Sequence, residues 1–101
     1  MYLSRLAFHS IPGKTHDVQE RLKKLKEMVA ASGAARCRIL RTHFASMGAP
    51  DVVFEQEAAD LRALEDQIAA VTRTAEFQAW SEEMSALLRE SPKREIYLLE
   101  D

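Results

Sequence analysis

Two linked stretches decide the fold of this chain: Glu76-Phe77-Gln78-Ala79-Trp80-Ser81-Glu82-Glu83-Met84 and, after a stop, Ser91-Pro92-Lys93-Arg94-Glu95-Ile96-Tyr97. Phe77, Trp80, Met84 and Leu87/Leu88 recur at helical spacing, so one face of a helix carries them. Ser91-Pro92 ends that helix, because proline lacks the N–H and disfavours helix in the residue before it. Glu95 to Leu99 then reads as a strand. A bulky amphipathic helix that stops sharply before a short final strand has to pack on a sheet supplied by the rest of the chain.

Working back from there, Asp60 is placed to cap a helix with Leu61, Leu64, Ile68 and Val71 on one face. Thr72-Arg73-Thr74 interrupts the stripe, and Thr74 can cap a second segment running to about Arg89, with a bend between. Asp51 to Glu57 and Arg36 to Ala45 are strands. Ser46-Met47-Gly48-Ala49-Pro50 joins them as an antiparallel hairpin. Val18, Leu22, Leu25 and Val29 form the stripe of an earlier helix, capped by Asp17 with Glu20 or by Thr15, and ended by Gly33 in the left-handed conformation. Tyr2 to Ile11 is a strand broken by Pro12-Gly13-Lys14. The order βαββαβ predicts an α+β, ferredoxin-like fold, with a four-stranded antiparallel sheet and two helices on one face. With 101 residues, the reading is a single domain over 1–101.

Composition narrows the function classes. The formal net charge is −2 and no Lys/Arg run exceeds two residues, so the basic stripe that nucleic acid needs is missing, and so is a polybasic membrane patch. Cys37 is the only cysteine, which excludes an internal disulfide and fits a reducing compartment. There is no signal-like start and no apolar run long enough to span a bilayer, so the expectation is a cytoplasmic protein without membrane partners.

Strand parity assigns the faces. With a turn centred near Gly48, Arg41 falls across from Glu55 and His43 across from Val53. Leu40, Phe44, Val52, Phe54, Leu6 and Phe8 then face the helices. Ile39, Arg41, His43, Val53, Glu55, Glu57, Arg5, Ala7, His9, Tyr97 and Leu99 occupy the other face. A mixed face of roughly 300 Å² with no second layer predicts a twofold homodimer packed sheet on sheet.

The chain at this point resembles NIPSNAP-like proteins of the dimeric α/β barrel superfamily. The resemblance is carried by Glu76-Phe77-Gln78-Ala79-Trp80 through Met84 with Arg94-Glu95-Ile96-Tyr97, by Asp51-Val52-Val53-Phe54-Glu55 before an acidic, alanine-rich helix, and by the first strand ending in Pro12-Gly13-Lys14. It implies a homodimer that binds a small apolar ligand or a protein partner. The antibiotic biosynthesis monooxygenases, on the same scaffold, act on polycyclic aromatics without metal or organic cofactor. They imply the alternative of a cofactor-independent monooxygenase, cyclase or isomerase acting on an aromatic or polyketide-like molecule. Haem-degrading relatives use Asn, Trp and His, and this chain contains no Asn.

The candidate proton-transfer residues are His9, His43, Glu55 and Tyr97. Each has a plainer role beside the catalytic one: interface histidine, interface carboxylate, strand aromatic. In the strand order 4-1-3-2, His9 and His43 sit on strands about 9.6 Å apart, which strains shared ligation of one metal. With no HxxxH, CxxC or carboxylate triad, no metal and no cofactor are expected. Phe8, Phe54, Phe77, Trp80 and Met84 are the candidate pocket wall; the plainer reading of the Phe77, Trp80 and Met84 stripe is core, from which a pocket in this fold would be cut. Arg36 and Arg38 flank Cys37, but alternation sends them to the opposite face, so the thiol reads as inert and partly buried.

Overall fold

The structure is a computed structural model describing residues 1–33 and 36–100. Its elements are β1 (Tyr2–Phe8), α1 (Thr15–Ala31), β2 (Arg36–Arg41), β3 (Val52–Ala58), α2 (Leu61–Thr72), α3 (Ala75–Ser85) and β4 (Lys93–Leu98). The sheet order is β2-β3-β1-β4, and every neighbouring pair is antiparallel. This is the expected ferredoxin-like arrangement, with three helices rather than two because the Thr72-Arg73-Thr74 interruption breaks the second one.

Local chemistry explains the boundaries. Asp60 accepts the Ala63 N–H through Oδ1 at 2.8 Å, and Thr74 accepts the Phe77 N–H through Oγ1 at 3.1 Å, so both expected caps form. The Thr74 hydroxyl donates in turn to Val71 O at 2.8 Å, which satisfies a carbonyl orphaned at the end of α2. Gly33 follows the C-cap of α1 with φ +92°, the left-handed stop expected of it. The start of α1 departs from expectation. Its N-cap position is Lys14, with no side-chain cap, because Ile11-Pro12-Gly13-Lys14 closes a turn (Lys14 N to Ile11 O, 2.9 Å) that launches the helix ahead of Asp17. Thr15 Oγ1 is taken by Ser10 Oγ at 2.7 Å instead.

The core lies between the helices and one sheet face. Val18, Leu22, Leu25 and Val29 of α1 meet Phe8, Val52 and Phe54 of the sheet, with Val71, Trp80 and Met84 closing the far side. Trp80 Nε1 donates to Arg21 O at 2.7 Å, so the one polar atom of this nearly buried ring is satisfied. The chain after α3 returns along the end of β1: Ile11 N bonds Leu87 O and Arg89 N bonds His9 O, each at 2.9 Å.

The β2–β3 register corrects the hairpin expectation. Arg38 pairs with Glu55, Leu40 with Val53 and Arg41 with Val52. Strand β2 ends at Arg41 rather than Ala45, and the link 43–50 is a long loop. Within it Gly48 has φ +88°, and Thr42 N closes the ladder on Asp51 O at 2.9 Å. The slip from the symmetric turn is odd, so it exchanges the faces of β2. Ile39 packs on the core, whereas Leu40 is on the open face at 40% exposure. Phe44, expected to face the helices, is 95% exposed on the loop.

Candidate functional site

The sheet separates two sites, and alternation decides which residues reach each. Leu6 pairs with Phe54 on one side and Arg94 on the other, so Arg94 stands on the helix side of β4. Arg5 pairs with Glu55 and Glu95, and Leu3 with Glu57 and Tyr97. Those residues share the open face with Arg38 and Leu40.

On the helix side a slot opens between the sheet, α1 and α2. Its apolar lining includes Leu25, Val29, Phe54 and Phe77, and Gln56, Gln67, Thr72 and Arg94 supply the polar groups. Gln56 Nε2 donates to Gln67 Oε1 at 3.2 Å, tying α2 to β3 across the slot. Arg94 Nη1 donates to Ser4 Oγ. Burial of its guanidinium lowers the Arg94 pKa below the usual value, although the residue as a whole keeps more than a third of its surface in solvent. The slot is partly open and its volume is ≈ 40 Å³, small beside the roughly 300–1,000 Å³ of ligand pockets. A larger guest requires α2 and its side chains to give.

On the open face Glu55 is the centre. It is buried, with Arg38 Nε donating to Oε1 at 2.7 Å and Arg5 Nε lying 3.0 Å from Oε2. The Arg5 N–H is not aimed at that oxygen, so this second contact is an ion pair without a formed hydrogen bond. The Glu55 hydrogen bond, then the Glu55 charge, raise the Arg38 pKa. Arg36 lies 4.0 Å from Glu57 in the same manner. Next to this cluster, His9 is buried at the end of β1. Its Nε2 faces Gly48 O at 3.1 Å, and its Nδ1 lies 3.1 Å from Glu90 Oε1 without a formed hydrogen bond. A cleft of ≈ 490 Å³ runs past His9, Arg5, Val53, Pro50, Glu90 and Lys93.

The sequence candidates are therefore divided. Phe54 and Phe77 line the slot, while Phe8, Trp80 and Met84 lie in the core beyond it. Phe77 leans on Trp80 with ring centroids 5.5 Å apart. His9 and Glu55 are on the open face. Tyr97 is also there, 42% exposed, and His43 is exposed on the 43–50 loop, outside the lining of the cleft that contains His9. Arg41 reaches Gln19 of α1 at 3.2 Å and makes no pair with Glu55. Sequence reasoning missed Arg94 and Gln56 as site residues. The signal was available: both sit at even positions of strands whose even positions face the helices. Among the described residues no group of three or more His, Cys, Asp or Glu could hold a metal ion, and no helix is long and apolar enough to cross a membrane.

No family model matches the sequence, and no curated protein matches it either. Solved structures do. An uncharacterized NIPSNAP domain protein from Burkholderia xenovorans aligns with a TM-score of 0.78 at 14% identity, over 99% of this chain and 95% of that one. A candidate antibiotic biosynthesis monooxygenase from Nitrosomonas europaea aligns at 0.70 with 20% identity, over 96% of each chain. SnoaB, a cofactor-independent oxygenase from Streptomyces nogalater, aligns at 0.61 with 16% identity, over 99% of this chain and 91% of that one. The chain thus has the ferredoxin-like fold of NIPSNAP and antibiotic biosynthesis monooxygenase proteins.

Proposed function

We propose that this fold works here as a homodimer that binds a small apolar molecule, with the open sheet face as the subunit interface and the helix-side slot as the ligand site. The observation that carries the binding reading is the lining of the slot: mostly apolar, with a few polar groups among it, the usual make-up of a small-molecule site. Its small volume makes the ligand a guest that widens the slot on entry. Support for the dimer comes from the open face, where Leu40, Tyr97 and Leu99 are each at least 40% exposed around a carboxylate paired with two arginines. A patch of that kind suits sheet-on-sheet packing about a twofold axis. Sedimentation at micromolar concentration tests the assembly: a monomer at that concentration overturns it. Titration with a small aromatic such as naphthalene, followed by amide NMR shifts at Leu25, Val29 and Phe77, tests the slot.

A second reading rests on the His9 cleft, whose size is in the ligand range and which pairs an imidazole with the Glu90 carboxylate. With an oxygenase described as cofactor-independent sharing the fold, this supports proton-transfer chemistry on an aromatic or polyketide-like substrate. His9, Glu55 and Tyr97 would be its open-face groups, and His43 a contributor from the loop. Turnover of a candidate aromatic that persists in His9→Ala would remove His9 from that chemistry.

A further inference from the structure

Arg94 is placed unlike the arginines of the open face. Arg5 and Arg38 share the Glu55 carboxylate. Arg94 has a hydroxyl, Ser4 Oγ, as its hydrogen-bond partner. Among the described residues no carboxylate lies within ion-pair distance of it, and the lowering of its pKa has burial as its cause, with no neighbouring charge opposing it. A partly desolvated guanidinium facing neutral groups is electrostatically unfinished, because removing a charge from water is unfavourable unless an opposite charge or enough hydrogen bonds replace the water. Its position is set by the strand pairing: Arg94 is level with Leu6, and Leu6 with Phe54, whose ring lines the slot.

We propose that the slot takes a small apolar carboxylate, its carboxylate paired with the Arg94 guanidinium and its apolar part among Leu25, Val29, Phe54 and Phe77. This rests on the slot being the ligand site and adds the class of ligand. The planar fork of Arg matches a carboxylate with two parallel N–H···O bonds. The other polar groups at the slot, Gln56, Gln67 and Thr72, are neutral, so the site balances one negative charge and leaves a phosphate dianion half unpaired. The apolar lining disfavours a fully hydrated anion such as acetate. The plainer role for an inward-pointing charge on an edge strand is to discourage pairing with another sheet; that role predicts no ligand preference.

Octanoate and 1-octanol, which share a chain and differ in charge, separate these outcomes in amide NMR titrations of the whole protein to millimolar concentration. Octanoate is expected to shift the resonances of Leu25, Val29, Phe54 and Phe77, and octanol to bind at least about tenfold more weakly, since a charge-assisted hydrogen bond is lost. In Arg94→Gln, octanoate affinity should fall to the octanol level. Equal affinity of the two ligands for the unaltered protein overturns the Arg94 pairing while the slot reading stands, and this comparison does not depend on the variant folding. Failure of both ligands to shift slot resonances overturns both readings. Octanoate shifts confined to Arg5, His9 and Lys93 overturn the assignment of the site in favour of the open-face cleft.

Discussion

Arg38 Nε donates to Glu55 Oε1 at 2.7 Å from the position directly opposite on β2, while Arg41 stands on the other side of the sheet and donates to Gln19 Oε1 at 3.2 Å. One pairing offset therefore decides which arginine neutralises the buried carboxylate and which holds α1 to the sheet edge. It also moves Leu40 onto the open face and Ile39 into the core. The make-up of the open face around Glu55 follows from that offset.

Double-mutant cycles in urea are expected to show coupling for Arg38 with Glu55 and none for Arg41 with Glu55. Glu55→Ala alone should destabilise by ~1–3 kcal/mol, because it strips a buried, charge-assisted acceptor from the Arg38 donor and leaves Arg5 without its ion-pair partner. Coupling of Arg41 with Glu55 would overturn the register.

Trp80→Ala should cost about 3–5 kcal/mol, since the ring closes the core against α1 and Phe77. Trp80→Phe keeps most of the apolar contact but removes the donor to Arg21 O, and should cost about 1–2 kcal/mol. A loss below about 1 kcal/mol for the alanine variant in denaturant titration would place the ring outside the core.

The caps of α2 and α3 are separate devices on separate helices. Asp60→Ala and Thr74→Ala should each destabilise by about 1 kcal/mol, by removing the acceptors for the Ala63 and Phe77 N–H groups. Thr74→Ser should retain most of the stability. Asp17→Ala should do little at the α1 start, whose N-cap position is Lys14; equal losses at Asp17 and Thr74 by thermal melting would contradict the observed caps.

Burial raises the Cys37 pKa, with a smaller opposing pull from Lys26. The thiol therefore stays protonated at pH values where an unfolded thiol begins to ionise. Iodoacetamide at pH 8 should modify the folded protein several-fold more slowly than the urea-unfolded chain. The same shift gives a stability contribution that is complete below the unfolded thiol pKa and declines as pH rises from there through the folded value. A folded-state rate equal to the unfolded one would show Cys37 to be open.

Most of the fold was legible because its signals are local. The stripe Val18-Leu22-Leu25-Val29, the caps Asp60 and Thr74 and the left-handed Gly33 are decided by neighbours within a turn or two of helix. The order of strands and helices then leaves few topologies. The site was legible only in part. Phe54 and Phe77 line the slot, whereas Phe8, Trp80 and Met84 lie in the core, the plainer reading of such a stripe. Apolar periodicity reports which face is buried and not whether a gap remains beside it. Arg94 is legible only through strand parity, since a charge on the inward face of a strand runs against the apolar pattern.

By itself the sequence determined the order of elements, the helix ends and the apolar face of each helix, all products of short-range sterics and hydrogen bonding. The β2–β3 pairing offset was decided by the tertiary structure alone. Loop 43–50 contains several turn-forming residues, and nothing local chooses among them. The choice is made by long-range contacts: Thr42 closes on Asp51, Asp51 Oδ2 accepts from Ser10 N at 2.8 Å, and His9 Nε2 meets Gly48 O at 3.1 Å. These bind the loop to the end of β1, and only with that end in place does Glu55 meet Arg38.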